Sequence, residues 1–533
     1  MSVTSHSSEV SKNPSAGARP SRHLSVLFFL ALLAGVIYVG ISIYSDVSGH
    51  AMSPLHWTVV ATLAAALLIA LGFEFVNGFH DTANAVATVI YTHSLSPTVA
   101  VILSGLCNFL GVLLSSGAVA FGVVALLPID LVLHGHPSTG FAMVFALLLS
   151  AIAWNLLTWW KGIPASSSHT LIGSMIGVGI ANAMINHGSL NGVNWGQAIK
   201  IGYSLLFSPF IGFVFAGLML LALRLMVRNK ALYEAPRDGM PPPMWIRSLL
   251  VASSSGVAFA HGSNDGQKGM GLIMMILVSL IPATYALDRY STQHDLPAFA
   301  SSAYEVSHII NGDTLPDLSQ PADQILREYL RNHHETPDVV PALGVLTGRI
   351  HAQIAALESL ESLSDDQVND IRDDMYITSE AIRMMSGSDT FKAQFEGHSG
   401  KALNGLKAHI DSTIKFIPLW VKVVTALALG LGTVVGWKRV VHTVGEKIGK
   451  SRMTYAQGLS AQTVAMATIG AADILGLPVS TTHVLSSGVA GTMAANRSGL
   501  QWGTLRNLAL TWVLTLPATI LLAGGMFWLF LQF

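Results

Sequence analysis

The sequence predicts an all-α polytopic membrane protein with two inverted repeats, broken or re-entrant helices, about eleven crossings and a soluble helical insert in the second repeat. Three observations predict this fold class. Of 533 residues, 51% are hydrophobic and only 11% are charged, against about 25% charged in soluble proteins. Apolar runs long enough to cross a bilayer recur along the chain. Two polar motifs occur twice, in the same order.

Apolar runs of about 20 residues are the candidate spans, because a helix of that length crosses the hydrocarbon core. They are 24–44, 56–76, 97–126, 140–160, 200–226, 246–285, 416–436, 454–476 and 504–532. Two shorter stretches, 164–183 and 478–494, begin with proline and are rich in small residues. These two look like half-helices or re-entrant segments, and with each moving the chain across once the total is eleven crossings.

The distribution of basic residues gives an orientation. If the N-terminal tail is cytoplasmic, fifteen Lys and Arg lie in or beside the inner loops, whereas the short outer loops at 45–55, 127–139 and 184–199 contain none. Cytoplasmic loops carry an excess of Lys and Arg, so this asymmetry supports the count. It places the insert and the C-terminus outside.

Composition divides the chain into segments. The Ser-rich start reads as a disordered tail, and the first apolar run is too long for a signal-peptide core, so we interpret it as a retained extra span. The segments are 1–23 (disordered cytoplasmic tail), 24–55 (extra span and outer loop), 56–226 (repeat 1), 227–245 (cytoplasmic linker), 246–285 (repeat 2, first part), 286–415 (soluble helical insert) and 416–533 (repeat 2, second part). A net charge of −1 does not indicate nucleic-acid binding, and the single cysteine excludes a disulfide framework.

The repeat is visible in two pairs of motifs. "GFHDTANA" from Gly78 aligns with "GSNDGQKG" from Gly262, which places Asp81 over Asp265, and "PASSSHTLIG" from Pro164 aligns with "PVSTTHVLSS" from Pro478. The spacing between motifs is 83 residues in the first copy and 213 in the second, and the excess of 130 is the size of the insert. Each copy has five predicted crossings, so the copies run in opposite directions. Inverted repeats with interrupted helices are typical of secondary transporters.

The four motifs "NGFHDTANAVATVIYT", "PASSSHTLIG", "HGSNDGQKG" and "PVSTTHVLSS" resemble the paired motifs of the inorganic phosphate transporter (PiT) family, and are most similar to its bacterial low-affinity, proton-driven members. The resemblance extends from about residue 56 to the C-terminus and leaves out the first span. It implies symport of inorganic phosphate with protons by alternating access, with the anion alone or as a neutral metal–phosphate complex. It also implies a multi-pass protein among the lipids of the bacterial inner membrane, a homodimer, and neither a cofactor nor an enzymatic activity.

A phosphate site needs hydrogen-bond donors, because the anion is mostly acceptor. Hydroxyls and the backbone N–H groups that start the helices after Pro164 and Pro478 can supply them. The candidate phosphate-binding residues are Asp81, Asn84, Ser166, Ser167, Ser168, Thr170, Asn264, Asp265, Lys268, Ser480, Thr481 and Thr482. The alternative is that these hydroxyls only cap helices or hold them together.

The acidic residues in the predicted membrane segments indicate that transport is coupled to protons or to a cation. A charge near the bilayer centre costs about 2.5–3.5 kcal/mol, so intramembrane acids are usually functional. Bare aspartates would repel phosphate and need protons or a cation beside them. The candidates for proton coupling are Glu74, His80, Asp81 and Asp265. Glu74 has Ala258 as its counterpart, so it is a relay outside the symmetric core or an interfacial residue. No spacing typical of a resident metal site occurs.

The repeats disagree at one position, where Asn84 aligns with Lys268. The sodium-coupled members that this chain resembles have asparagine at both positions. We therefore expect the Lys268 ammonium to stand in for a bound cation beside Asp265. The alternative is that it only neutralises that acid for stability.

Two other functions stay open. A permease for sulfate or another tetrahedral oxyanion has the same fold, although two site aspartates favour phosphate, whose P–OH group can donate to a carboxylate. A membrane sensor would work through the insert. No nucleophile–base motif or Walker sequence supports an enzyme.

Overall fold

The computed structural model describes residues 22–48, 56–127, 137–187, 193–237, 239–289, 295–312, 314, 316–435, 441 and 448–532. Regular structure in these ranges is helical. The α-helices, numbered in chain order, are α1 (Arg22–Ser48), α2 (Trp57–Tyr91), α3 (Pro97–Leu114), α4 (Ala118–Val124), α5 (Pro137–Trp160), α6 (Ser167–His187), α7 (Trp195–Met226), α8 (Met244–Leu280), α9 (Pro282–Tyr285), α10 (Leu296–Asn311), α11 (Ala322–Asn332), α12 (Val339–Ala355), α13 (Asp365–Met385), α14 (Asp389–Gln394), α15 (His398–Ile414), α16 (Leu419–Val434), α17 (Tyr455–Ile474), α18 (Thr481–Ala495) and α19 (Trp502–Phe530). The predicted tail lies almost wholly outside the described residues.

Seven of the described helices are long and apolar enough to cross a membrane, and the pair α15–α16, bent by 69°, would make an eighth. They are Val26–Ser48, Trp57–Tyr91, Pro97–Leu114, Gly140–Trp160, Ser167–Ile185, Trp195–Met226 and Trp502–Phe530. The eleven predicted crossings are not reached by this measure. The reason is visible in α8, whose 37 residues have a polar motif at their middle, and in α18, which has only 15 residues.

Two predicted segments have a different form in the structure. The single span expected over 97–126 is broken into α3 and α4 at 115–117, where Gly117 has φ +90° and leaves the helical path. The half-helix expected over 164–183 is instead α6, a continuous helix of 21 residues. The serines that begin it satisfy its first N–H groups, and the small residues behind them allow the helix to continue.

The first motif lies inside a helix rather than after one. Helix α2 runs without interruption for 35 residues, through the whole of "GFHDTANAV". Helix α8 does the same for the second motif. Both motifs are therefore presented by long helices that are packed on all sides, and the buried polar side chains must find partners on neighbouring helices.

The two motif helices each cross another helix at backbone contact. A Cβ on Gly78 of α2 would lie 2.2 Å from the backbone oxygen of Leu429 in α16. A Cβ on Gly262 of α8 would lie 2.2 Å from the backbone oxygen of Asn108 in α3. Only glycine allows an approach this close, so these crossings fix where each motif lies.

Helices α10–α15 occupy the predicted insert and have a hydrophobic core of their own, with Phe299, Leu343 and Leu406 among its fully buried side chains. The two ends of the insert meet at one acid of α1. Asp46 accepts hydrogen bonds from the Tyr285 hydroxyl (2.7 Å), just before the insert, and from the Trp420 indole N–H (3.1 Å), just after it. The extra N-terminal helix therefore holds both junctions together.

Candidate functional site

The two aspartates of the repeated motif meet at the start of α6. Asp81 and Asp265 are 2% and 0% exposed. The Ser167 hydroxyl lies 2.7 Å from Asp81 Oδ2 and 3.2 Å from Asp265 Oδ2. Residues separated by almost two hundred positions in the chain therefore share one hydroxyl, as the repeat predicts.

Lys268 completes the Asp265 side of the centre. Its Nζ donates to Asp265 Oδ1 at 2.7 Å and to Ser168 Oγ at 2.5 Å, and the residue is 1% exposed. Ser168 in turn donates to the backbone oxygen of Val479 at 2.7 Å. The ammonium therefore joins an acid of α8 to the start of α6 and to the loop before α18.

The Asp81 side is completed by the start of α18. Thr482 Oγ1 donates to Asp81 Oδ1 at 2.9 Å and accepts a hydrogen bond from Asn84 Nδ2 at 2.7 Å. The residue three positions after each aspartate therefore differs: the Asn84 amide reaches Asp81 through Thr482, whereas the Lys268 ammonium binds Asp265 directly.

Several of the other predicted hydroxyls hold helices instead. Ser166 Oγ accepts from the backbone N–H of His169 at 3.1 Å, and Ser480 Oγ accepts from that of His483 at 3.2 Å. Thr170 donates to the backbone oxygen of Ser166 at 2.9 Å. The hydrogen bonds of these three side chains agree with the alternative that such hydroxyls cap helices or hold them together. Thr481 Oγ1 is buried with no hydrogen-bond partner in the described ranges.

Asn264 is turned toward the loop before α18. Its Nδ2 donates to the backbone oxygen of Leu477 at 3.0 Å, and its Oδ1 accepts from the backbone N–H of Val479 at 3.4 Å. Both functions of the amide are used by the backbone. In this structure Asn264 therefore positions the loop before α18, and its contact with phosphate stays a prediction.

Two histidines lie beside the acids. His80 Nδ1 is 3.0 Å from Asp81 Oδ1, and its Nε2 is 3.2 Å from Thr158 Oγ1. His261 Nε2 lies 3.9 Å from Asp81 Oδ2 and 3.6 Å from Asp265 Oδ2. His261 is not among the site residues predicted from the sequence, yet its position four residues before Asp265 on a helix is a usable signal, because such residues share a face.

Asp81, His261 and Asp265 offer ligand atoms that all lie within 4.8 Å of one another. Two carboxylates and an imidazole are ligands that divalent first-row metals accept. The sequence predicts no metal site, because the three ligands come from two distant helices and have no motif spacing. The geometry brings together a set that can hold a metal ion.

The hydrogens of the centre can be counted. Ser167 has one hydroxyl hydrogen, so it cannot donate to both aspartates at once. That hydrogen can therefore be donated to only one of the two aspartates at a time. Two ionised carboxylates this close would also repel each other in a low dielectric. The two acids therefore need a positive charge beside them, and Lys268 supplies one at Asp265.

Comparison with known proteins shows which family the chain belongs to. The sequence profile of the phosphate transporter family matches residues 77–523. The low-affinity inorganic phosphate transporter PitA of Escherichia coli K12 is 43% identical over 490 residues, covering 88% of this chain and 97% of PitA. PitB of the same strain is 39% identical over 522 residues, covering 93% and 99%. A solved sodium-dependent phosphate transporter superposes with a TM-score of 0.49 at 19% identity, covering 89% of this chain and 99% of that one. The chain belongs to the phosphate transporter family.

Proposed function

We propose that this chain is a low-affinity, proton-coupled symporter of inorganic phosphate in a bacterial inner membrane. The observation that carries the proposal is the buried cluster in which Asp81, Asp265 and Lys268 meet hydroxyls at the starts of α6 and α18. The relatives named as low-affinity inorganic phosphate transporters support the substrate. The chain works as a carrier and catalyses no covalent reaction.

Phosphate binds by taking over hydrogen bonds that the protein now makes to itself. The hydroxyls of Ser167 and Thr482 donate to Asp81, and the Lys268 ammonium donates to Asp265. When the anion enters, these donors turn to its oxygens. The backbone N–H groups at the starts of α6 and α18 add the partial positive charge of two helix N-termini.

Loss of those donors obliges the aspartates to take protons. Asp81 and Asp265 supply two buried carboxyl groups, while Lys268 supplies one ammonium. An anion added to this set is tolerated only with protons or a cation. His80, 3.0 Å from Asp81, is placed to pass a proton to it. Anion and proton therefore bind together, which is the requirement for symport.

A divalent metal can enter as cargo with phosphate. The set formed by Asp81, His261 and Asp265 supports this part of the proposal, because its ligands are all within 4.8 Å of one another. A metal ion held there would separate the two acids and present a positive charge to the anion. The complex that moves is then neutral metal–phosphate.

Matched contacts in the two halves support inverted repeats and alternating access. Gly78 and Gly262, aligned in the repeat, lie equally close to the backbones of Leu429 and Asn108. Ser166 and Ser480, also aligned, cap their helices in the same way. Equivalent halves around one centre can exchange conformations and open it to either side. The eleven crossings rest on the charge asymmetry, and the homodimer rests on the family resemblance.

Uptake of labelled phosphate by proteoliposomes tests the proposal. We expect an inward proton gradient to drive accumulation, and arsenate to compete while sulfate does not. Asp81→Asn and Asp265→Asn should each lower uptake at least about a hundredfold in folded protein, since each removes a proton-binding acid. Accumulation of sulfate instead of phosphate, or full activity of either variant, would contradict it.

A further inference from the structure

A second group of buried polar side chains lies next to the centre. Glu74, Asn77 and Asn155 are all 0% exposed. Both carboxylate oxygens of Glu74, and both amide atoms of each asparagine, have no hydrogen-bond partner among the described residues. Buried polar groups are nearly always paired, so three adjacent exceptions need an explanation.

Two of these side chains meet against a glycine of α8. A Cβ on Gly269 would lie 2.3 Å from Glu74 Oε1, so the glycine leaves the space that the carboxylate fills. Asn77 is one helical turn after Glu74 on α2, and its amide lies near the carboxylate without the geometry of a hydrogen bond to it. The pair therefore faces α8 immediately after Lys268.

Asn155 reaches the same level from α5. The rings of Phe79 and Trp159 are 5.1 Å apart, and His80 lies 3.2 Å from Thr158. Helices α2 and α5 both follow predicted outer loops, so the two helices cross the membrane in the same direction. One turn before Thr158, Asn155 therefore lies at the level of Asn77.

Among the described residues, no cation forms an ion pair with Glu74. The charged groups that act on it are Asp265 and Lys268 of α8. The ammonium is engaged by Asp265 at 2.7 Å and by Ser168 at 2.5 Å, and Asp265 adds a like charge. An ionised carboxylate in this position is costly unless a proton or a cation joins it. The two amides supply the neutral oxygens that would complete the coordination of a small hard cation.

We propose that Glu74, Asn77 and Asn155 form a separate monovalent-cation site, which takes a proton or a small alkali cation and is distinct from the phosphate centre. The inference rests on the proposed symport and deepens it by assigning the site of the coupling ion. Filling this site removes a negative charge beside Asp265 and so favours entry of the anion. The second repeat has Ala258 where the first has Glu74, so the site exists once.

Separating exchange from driven uptake tests the site. In proteoliposomes of equal internal and external pH, Glu74→Gln should exchange phosphate for labelled phosphate within about twofold of the wild type. Net uptake driven by an inward gradient of protons or of sodium should fall at least tenfold. Asp81→Asn, the control in the phosphate centre, should lose both activities. Gly269→Ala, whose methyl group displaces the Glu74 carboxylate, should behave as Glu74→Gln does.

The outcomes separate the two levels of the proposal. If the wild-type protein fails to exchange phosphate, the proposed function itself is wrong. Driven uptake by Glu74→Gln at the wild-type rate overturns the cation site alone, and so does loss of exchange in that variant when it remains folded. The source of the cation follows from the wild type: uptake with protons and no sodium assigns a proton, and uptake that needs a sodium gradient assigns an alkali ion. A carboxylic acid C=O band in the infrared spectrum, lost in Glu74→Gln, gives the proton case a readout that does not depend on transport.

Discussion

At the scale of single residues, the two halves of the centre differ most where Asn84 faces Lys268. Both reach a hydroxyl at a helix start, Asn84 through Thr482 and Lys268 through Ser168. Only the lysine adds a charge, and it forms an ion pair of 2.7 Å with Asp265. One half of the centre therefore contains a fixed cation that the other half lacks.

Lys268→Asn tests whether this ammonium stands in for a bound cation. We expect proton-driven uptake to fall at least tenfold and to recover in part at high sodium, because the ion can occupy the place beside Asp265. Initial uptake rates at low and high sodium measure this, with thermal unfolding to verify folding, since breaking a buried pair costs about 3–5 kcal/mol. Lys422→Asn is the matched control, because Lys422 donates to the backbone oxygen of Ser115 at 2.9 Å and to no site acid. Unchanged, sodium-independent uptake by Lys268→Asn would mean that the lysine is not needed.

The sequence predicts which side chains meet, but not how each is used. The repeat predicts that Asp81, Asp265, Ser167 and Thr482 lie close together. In the structure Ser167 lies within hydrogen-bond distance of both aspartates, and Thr482 donates to Asp81. Asn264 belongs to the same motif yet binds the backbone of the loop before α18. That choice depends on a segment more than two hundred residues away, which no local pattern encodes.

At the scale of helices, backbone contact at glycine determines the packing. Helix α8 crosses α3 where Gly262 faces the Asn108 carbonyl. The sequence shows these glycines but gives no reason to prefer Gly262 over Gly72, which has open space around it. The difference lies entirely in what the facing helix presents.

The difference between Gly262 and Gly72 can be tested by replacing each glycine with alanine, which adds one methyl group. Gly262→Ala should lower the free energy of unfolding by about 1–3 kcal/mol or more, because the facing atom is backbone and cannot move aside. Gly72→Ala should be neutral or stabilising by up to about 1 kcal/mol, since alanine favours the helix. Thermal unfolding of the detergent-solubilised proteins measures both. Equal melting temperatures for the two variants would contradict the assigned crossing.

The insert has an acid-sensitive ion cluster. Glu380 is 6% exposed and lies 2.6 Å from Arg383 and 3.3 Å from Lys415. Burial alone would raise the pKa of Glu380, but Lys415 and Arg383 outweigh it and hold that pKa below its ordinary value of 4.5. A lowered pKa means that the ionised carboxylate stabilises the fold above pH 4.5, and that this stability is lost as the pH falls through the lower, folded-state pKa.

Glu380→Gln separates this effect from other acid transitions. At pH 7 we expect the variant to melt at a lower temperature than the wild type, because two cations lose a buried partner. At pH 3 the difference should be smaller than at pH 7, because the stability contributed by the ionised carboxylate begins to be lost once the pH falls below the ordinary pKa of 4.5. Melting curves from circular dichroism at the two pH values measure it. A difference in melting temperature that is larger at pH 3 than at pH 7 would mean that the pKa of Glu380 is raised and not lowered.

At the scale of the whole molecule, one acid of α1 joins the two ends of the insert. Asp46 of α1 receives hydrogen bonds from Tyr285 and Trp420, the residues that flank the insert. The sequence predicts the extent of the insert from its charge, and the structure shows its separate core. Its anchoring could not be foreseen, because α1 lies outside the repeats.

The predicted orientation places the insert outside the cell. A cysteine at Glu396, an exposed loop position of the insert, should react with a membrane-impermeant thiol reagent in intact cells. A cysteine at Ala235, exposed in the 227–245 linker, should react only after lysis. Both variants need Cys107 replaced by serine first. The reverse pattern of labelling would overturn the orientation.

The helix crossings at glycine also imply a delay during synthesis between the appearance of one helix and that of the helix it packs against. Gly78 of α2 packs against Leu429 of α16, which the ribosome makes about 350 residues later. At about 5–20 residues per second, α2 waits roughly 20–70 seconds for that partner. Throughout this interval the buried acids and amides of α2 lie in the membrane without the helices that finally enclose them. A half-length chain would remain in that state, so each repeat depends on the other to finish folding.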